Sequence, residues 1–581
     1  MTAVSRYNDQ LFSALCLAAM EMQLQHAQAL PFIADDLFVH YSDNRADEMG
    51  AYCDMSNEKP DPRCAVLNQS PELPEHNIYL TDIILKESIR REGAAWADDK
   101  LCAAGEEFAK AESHNLARLA NTHKPVLKTH DDRGRRCDQV EFHEAWHSLM
   151  EKAVGHSLVA LTGNESGAGA QVARAGLFFL YSQLESGTQC PISMSAGGLA
   201  VLKKYQQDLP VLGEIWIPKL ISGVYDRRFL PPSQKHGLLV GMGMTERQGG
   251  SDVQSNITSA TPISGRKRGD AYILQGHKWF MSAPMCDAFL ILAQAEAGVS
   301  CFFVPRFLDN DDLNGLHFQR LKDKLGNHSN ASSEVEFNHA TGYLLGDEGH
   351  GVRTIIEMAC HTRQDCVTAS AGLQRRALTL AHHHTNYRKA FGSLLIDKPL
   401  MQNVLADLAL ESEASTTLAM YCAKTFDQSA SESDRLIGRV LTPAAKYFVC
   451  KRGPQFAAEA MEIYGGNGYV EDSDFPRIYR EMPLLSIWEG AGNVMCVDVL
   501  RALGHDPEIA AALSERLAGV AGANADLDRH VKYLQALVTE NLEEANARRI
   551  ASALCLAVQG ALLVEHAPNE ISDTFCHTRL S

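Results

Sequence analysis

No uninterrupted apolar run in this chain approaches the roughly 20 residues that a membrane-spanning helix requires. The first candidate, Leu11 to Met20, is closed by Glu21; only Arg6 precedes it as a positive charge, and no small-residue cleavage pattern follows. That segment reads as a helix, and the expectation is a cytoplasmic protein with no membrane association. Paired metal-ligand cysteines are also lacking. The fifteen cysteines form no C-x-x-C pair, and settings such as those of Cys301, Cys450 and Cys496 suit reduced core thiols, so no metal site is expected. Nor is there an excess of positive charge: 54 Lys and Arg against 72 Asp and Glu leave −18. That balance argues against a protein built mainly to neutralise phosphates, although a local basic patch is compatible with it.

What is present is a long chain, 581 residues with 45% apolar side chains, enough for two to four domains. Residues 1–70 read as an arm, with a helix over Tyr7 to Leu30 and then a polar stretch punctuated by Pro60 and Pro62. Residues 71–240 carry helical spacing, as at Leu177, Leu180 and Leu184. Residues 241–347 change to short β-rich runs, Ala271–Leu274, Ala288–Leu292, Cys301–Val304, Leu316–Gln319 and Glu334–Phe337. Helical spacing returns over 348–503, through Asp365–Tyr387, Pro399–Phe426 and Arg435–Tyr464. Residues 504–581 add helical segments at Pro507–Val520 and Asp526–Leu563. The class is α+β, mainly α. Helices, then strands, then helices is not the alternation of a doubly wound nucleotide fold, so Gly241-Met242-Gly243 is not a dinucleotide fingerprint.

Three stretches could carry chemistry. GMGMTERQGGSDVQSN, Gly241 to Asn256, lies where helical texture gives way to strands; its small residues allow close approach to a ligand and its hydroxyls offer donors, though a surface turn has the same composition. GHKWFMS, Gly276 to Ser282, ends a predicted strand. Alternation places Trp279 and Met281 on one face and Phe280 and Ser282 on the other, which gives either a wall for a planar ring or an ordinary core tryptophan. In IWEGAGN, Ile487 to Asn493, apolar company around Glu489 would disfavour the charged carboxylate and raise its pKa, as suits removal of a carbon-bound proton; a loop or capping glutamate is the alternative.

Taken together with YRKAFGSLLIDKPLMQ (Tyr387 to Gln402) and YGGNGY (Tyr464 to Tyr469), these motifs resemble, in order and spacing, the acyl-CoA dehydrogenase superfamily. LKDKLGNHSNAS (Leu321 to Ser332), LTPAAKYFVCKRG (Leu441 to Gly453) and REMPLLSIWEGAGNVMCVDVLR (Arg480 to Arg501) are most similar to its AidB-like subgroup of alkylation-response flavoproteins. The resemblance extends from about Pro74 nearly to the C-terminus. It implies three domains, helical, β and four-helix bundle, and FAD as cofactor. Met242, Met244, Thr245 and Ser251 would contact the flavin and its phosphates; Trp279, Phe280 and Ser282 would wall and polarise the isoalloxazine ring. Arg388, Phe391 and Gln402 would reach the FAD of a neighbouring subunit, implying a homo-oligomer, usually a tetramer. Gly465 and Gly466 would approach the adenosine end, and Ile487 and Asn493 would close over the cofactor. Glu489 matches the catalytic base of α,β-dehydrogenation of acyl-CoA thioesters, with an electron-transfer flavoprotein as an acceptor.

Departures qualify this. Glu462 and Ala491 stand where ordinary members have Gln and Thr, and Trp488 in place of the common Tyr suggests short or branched acyl groups such as isovaleryl. The resemblance also implies the alternative of a flavoprotein that shields DNA. Against it, residues 505–581 hold six Arg and Lys and eleven Asp and Glu, a net −5 that repels phosphate. Dehydrogenase and oxidase are not separable by motif. His382, His383 and His384 point in different directions from consecutive helix positions and read as core or solvated residues. GRKRGD, Gly265 to Asp270, reads as a charged hairpin tip.

Overall fold

The structure, a computed structural model, describes residues 66–165 and 167–580. The helix expected over Tyr7 to Leu30 and nearly all of the arm lie outside them. The predicted order of helices, strands and helices is the order found.

The first layer consists of helices including Ile83–Arg91, Asp98–Ala109, Ala111–Thr122, Glu144–Gly155, Ala170–Ser182 and Gln189–Tyr205. Local chemistry sets their ends: the Asp82 carboxylate accepts the Leu85 N–H at the start of the first, and Arg90 and Arg91 complete its last turn. Ala170–Ser182 is mostly apolar and is buried on every side except at Gln171, with Arg174 enclosed among its apolar residues. One departure from the expected helical texture is a β-hairpin, Val126–His130 paired with Arg136–Glu141. Its turn is made by Asp131, whose Oδ1 accepts the N–H groups of Arg133 and Arg135, and by Gly134 at φ 77°. The strands are short and polar, so no apolar alternation announces them.

In the middle layer each of the five expected strands forms within a longer one: Ala271–Ser282, Ala288–Ala295, Gly298–Pro305, Leu316–Leu321 and Ser332–Leu345, joined by Val240–Gly243 and Ser259–Pro262. Ala288–Ala295, Ser259–Pro262, Ala271–Ser282, Ser332–Leu345 and Gly298–Pro305 pair in a closed circuit, a barrel. Closure leaves these strands without open edges. Tyr272, Leu274, Phe302 and Val304 fill the interior; a Cβ at Gly342 would come 2.9 Å from Leu274 and 3.1 Å from Val304. The GRKRGD tip sits between two barrel strands, with Arg266 paired to Glu296 and Arg268 to Asp347.

The third layer is built on the 37-residue helix Gly351–Tyr387, which packs against Pro399–Lys424, Glu432–Ile463 and Phe475–Ile487 and also against the first layer. Glu432–Ile463 starts at a capping box, the Ser431 hydroxyl on the Asp434 N–H and the Asp434 carboxylate on the Ser431 N–H. The added C-terminal region packs on this bundle through Pro507–Ala518 and Ala547–His566, and Ala525–Glu540 and Asn569–Leu580 pack in turn on Ala547–His566. The single segment expected over Asp526–Leu563 is two helices, because the chain reverses at Asn541 to Asn546, where Asn and Glu replace the apolar period. Glu544–His566 is long and apolar enough to cross a membrane, yet most of it is enclosed by its neighbours, with Leu554, Cys555, Val558 and Leu562 in the core.

One buried ion pair joins the first and third layers. Arg174 and Asp365 meet through two bonds, 2.6 and 2.8 Å, with side chains 5% and 3% exposed, and Arg174 Nε also donates to the Leu158 carbonyl. Replacing Arg174 by Met strands a buried carboxylate. The expected loss is about 3–5 kcal/mol, read as a lower denaturant midpoint in urea unfolding of the two proteins.

Candidate functional site

The turn that follows helix Phe475–Ile487 exposes three consecutive carbonyls, and two cations from the bundle bind them. Lys446 Nζ, wholly buried, donates to the Trp488 carbonyl at 2.7 Å and the Gly490 carbonyl at 2.5 Å. Arg363 Nε donates to the Glu489 carbonyl at 3.0 Å, and its guanidinium pairs with Asp498 at 2.9 Å. Positive charge at a helix C-terminus satisfies both the orphan carbonyls and the dipole. Held this way, Glu489 takes φ 59°, a left-handed conformation uncommon outside glycine, and Gly490 follows at φ 109°. A backbone so strained persists only where its surroundings enforce it.

The Glu489 carboxylate therefore faces inward. Its Oε2 accepts a 2.8 Å bond from the Thr362 hydroxyl. Burial pushes its pKa above the ordinary carboxylate value, as the sequence predicts, while the Thr362 bond and the charges of Lys446 and Arg363 oppose that shift. The carboxylate looks into a mainly apolar pocket lined by Phe178, Cys190, Met194, Cys366, Leu484 and Leu485, among others.

The MTERQGGSD loop and the GHKWFMS strand form one unit. Glu246 and Lys278 are both fully buried and 2.6 Å apart, and Glu246 also accepts the N–H groups of Ile257 and Thr258. Lys278 and these donors hold the Glu246 carboxyl well below its usual range. The Thr245 carbonyl accepts the Trp279 N–H at 2.8 Å, fixing the loop against the strand. Here the expected alternation fails. A bulge between Lys278 and Met281 shifts the register, so Met281 is buried while Trp279 and Phe280 both border Lys322, whose Nζ is 3.4 and 4.8 Å from their ring centres. Ser282 meets Ser332 at 3.1 Å, Met242 is buried in strand Val240–Gly243, Met244 is partly buried, and Ser251 is exposed.

The remaining residues singled out from the sequence occupy other parts of the surface. Phe391, fully exposed, tips a tight hairpin of Lys389–Ala390 and Ser393–Leu394. The arm's last residues pin that hairpin: Asn68 exchanges two bonds with the Lys389 backbone, and its carbonyl accepts from Arg388. Ser70 meets His384 and the Pro71 carbonyl meets His383, so two of the three consecutive histidines anchor the arm. Gln402 is partly buried, while Gly465 and Gly466 are exposed with open space where a Cβ would stand. Ile487 is exposed, and Asn493 accepts a bond from Arg548. Ile487 and Asn493 flank Glu489 in the chain, and the others lie on different elements.

Several residues of the site carry no signal in the reading of motifs. Thr362 and Arg363 sit in an unremarkable helical stretch. Lys446 leaves a trace, a lone charge inside the apolar run Leu441–Cys450, and Lys278 and Glu246 stand inside motifs whose other letters drew notice.

Helical layer, closed barrel and helical bundle in this order are the acyl-CoA dehydrogenase fold. Residues 68–227 match the N-terminal domain of the adaptive response protein AidB, 241–340 the acyl-CoA dehydrogenase middle domain and 349–504 its C-terminal domain. The chain is 46% identical over 516 residues to AidB of Escherichia coli (strain K12), named as a provisional acyl-CoA dehydrogenase, covering 89% of this chain and 94% of that protein. It belongs to the AidB family of acyl-CoA dehydrogenase-like proteins. It is also 29% identical to acyl-CoA dehydrogenase family member 11 of Caenorhabditis elegans, over 85% of this chain and 84% of that one. The crystal structure of Caenorhabditis elegans ACDH-11 in complex with C11-CoA superposes with a TM-score of 0.82 at 26% identity, covering 91% and 95% of the two chains.

Members of the acyl-CoA dehydrogenase family bind FAD. The residues here fit such a group: Trp279 and Phe280 present ring surface beside Ser282, and Ser282 and the enclosed Asn330 side chain both reach the Cys190 thiol. The loop that would hold it depends on the buried Glu246–Lys278 pair. In Lys278→Met, Glu246 loses its partner and stability falls by about 3–5 kcal/mol at pH 7. A carboxyl held low by its partner contributes stability above its unfolded pKa, which is lost as pH falls through the folded value. With the Glu246 carboxyl held at about 2, the gap between variant and parent in thermal unfolding should therefore narrow as pH drops from about 4.5 toward 2.

Proposed function

We propose that this chain is an FAD-dependent oxidoreductase that introduces a double bond next to the carbonyl of an acyl-CoA thioester. The observation that carries the reading is Glu489, a carboxylate of raised pKa held at one end of an apolar cavity by an enforced backbone. Glu489 takes the proton from the carbon beside the thioester carbonyl; a hydride leaves the next carbon; a trans-2-enoyl thioester remains. FAD, when bound, supplies the acceptor of that hydride. Apolar walls exclude water, which keeps the carboxylate basic enough to act on carbon. Thr362 orients it by a bond to one oxygen and leaves the other for the substrate.

The cavity favours a longer acyl group than Trp488 alone suggests. Six residues of helix, about 9 Å, separate Glu481 at one end from Ile487, and the turn to Glu489 adds to that. The relative from Caenorhabditis elegans, crystallised with C11-CoA, is consistent with such a length. The exposed hairpin at Arg388 and Phe391 suits contact with a second copy, and we extend the proposal to a homo-oligomer in which it reaches a neighbour's cofactor. Free thiols at the described cysteines suit a reducing cytoplasm. Shielding of DNA gains less support, because the C-terminal arginines are engaged: Arg516 with Glu565, Arg529 with Asp526, Arg579 with Asp407, Arg549 with Tyr533 and Arg548 with Asn493.

Anaerobic titration of the flavin-loaded protein with a panel of acyl-CoAs tests the reading: bleaching of the flavin band is expected, and a flavin that stays oxidised throughout contradicts it. Glu489→Gln should bind FAD and reduce it roughly 10²–10⁴-fold more slowly. Since the carboxylate is the acting form, the reduction rate should rise with pH through a value above the ordinary carboxyl range. Thr362→Val, which removes a bond favouring the charged form, should move that rise to higher pH.

A further inference from the structure

The end of the cavity away from Glu489 is polar. On the long helix Gly351–Tyr387, Thr362 meets Glu489, and Ala369 lies seven residues, roughly 10 Å, further along. Helix Phe475–Ile487 runs the opposite way, with Met482 beside Ser370 across Gly453, so Glu481 lies at the Ala369 end. Ser186, Gln189, Asn327 and Glu481 line the cavity together with these residues.

Asn327 enters from the loop between strands Leu316–Leu321 and Ser332–Leu345. Its backbone N–H donates to one Glu481 oxygen at 2.7 Å and its side-chain nitrogen lies 3.3 Å from the other. The side chain is 1% exposed, and its carbonyl Oδ1 is enclosed with no hydrogen-bond partner. The backbone there sits at φ 56°, a conformation asparagine tolerates better than other residues. A buried acceptor left without a donor costs its full desolvation, and an unsubstituted alkyl chain would leave it so.

We propose that the cavity is shaped for acyl-CoA thioesters whose chain ends in a hydroxyl, which donates to the Asn327 carbonyl beside Glu481. Other polar termini fit worse. A terminal carboxylate would face Glu481, and a terminal ammonium would be stripped of water between Phe178, Cys366, Leu484 and Leu485. A hydroxyl is a neutral donor and matches the orphan acceptor. Specificity of this kind is strong because the site's own buried group goes unpaired with the wrong substrate.

The inference rests on the acyl-CoA reading of the cavity, and its test separates the two. Dissociation constants are measured by calorimetry on the FAD-loaded Glu489→Gln protein, in which turnover does not intrude, for octanoyl-, decanoyl- and dodecanoyl-CoA and their terminally hydroxylated counterparts. At the length that reaches Asn327, the hydroxyl should tighten binding roughly tenfold. Adding Asn327→Gly, which keeps the left-handed backbone and the N–H bond to Glu481, should abolish that preference, so that hydroxylated and plain chains of one length bind alike. Binding of plain chains with no hydroxyl preference at any length overturns this inference alone, as does a preference that survives Asn327→Gly. Absence of binding by every thioester overturns the proposed function and this inference with it.

Discussion

Two buried cations holding three carbonyls are the constraint on which the rest of the site depends. Lys446 and Arg363 grip the backbone of Trp488, Glu489 and Gly490, and that grip holds a non-glycine residue in the left-handed region. Free of it, Glu489 would relax toward ordinary φ and its carboxylate would leave the cavity. The strain is local and its support is distributed. Lys446 belongs to helix Glu432–Ile463 and Arg363 to Gly351–Tyr387, so the pose of one carboxylate is set by how the bundle packs. The same cations moderate the rise that burial imposes on the Glu489 pKa, so one arrangement serves both geometry and chemistry.

Buried ion pairs elsewhere do comparable work, one between layers and one within the barrel layer. Arg174–Asp365 fixes the first helical layer on the bundle beside the cavity, and Glu246–Lys278 fixes the loop on the barrel strand. Such pairs add little net stability relative to apolar packing, but a mismatched arrangement would strand a charge, so they specify register. The sites they fix are the ones where small displacements would matter most: the base on one side and the aromatic and hydroxyl wall on the other.

The sequence made the layer order legible because apolar periods of 3.6 and 2 persist over long stretches. It made Glu489 legible because a carboxylate among apolar residues is unusual. Three things escaped it. The Val126–Glu141 hairpin is short and polar. The bulge between Lys278 and Met281 alters a two-residue period without leaving a glycine or proline at the slip. The cavity's end at Asn327 and Glu481 joins residues more than 150 positions apart, and Asn327 reads in the sequence only as part of a loop. Contacts such as Thr362 with Glu489 depend on tertiary packing, and periodicity carries no information about which faces meet.

The central claim is that Glu489 acts as a base on the carbon beside a thioester carbonyl, and hydrogen exchange reports that step apart from any electron acceptor. The FAD-loaded protein and its Glu489→Gln variant would be incubated anaerobically in deuterium oxide with an acyl-CoA that binds, and the recovered thioester weighed by mass spectrometry. Deuterium should enter the α carbon with the parent protein and not with the variant. Equal exchange by both, or none by the parent with a thioester that binds, would contradict the account.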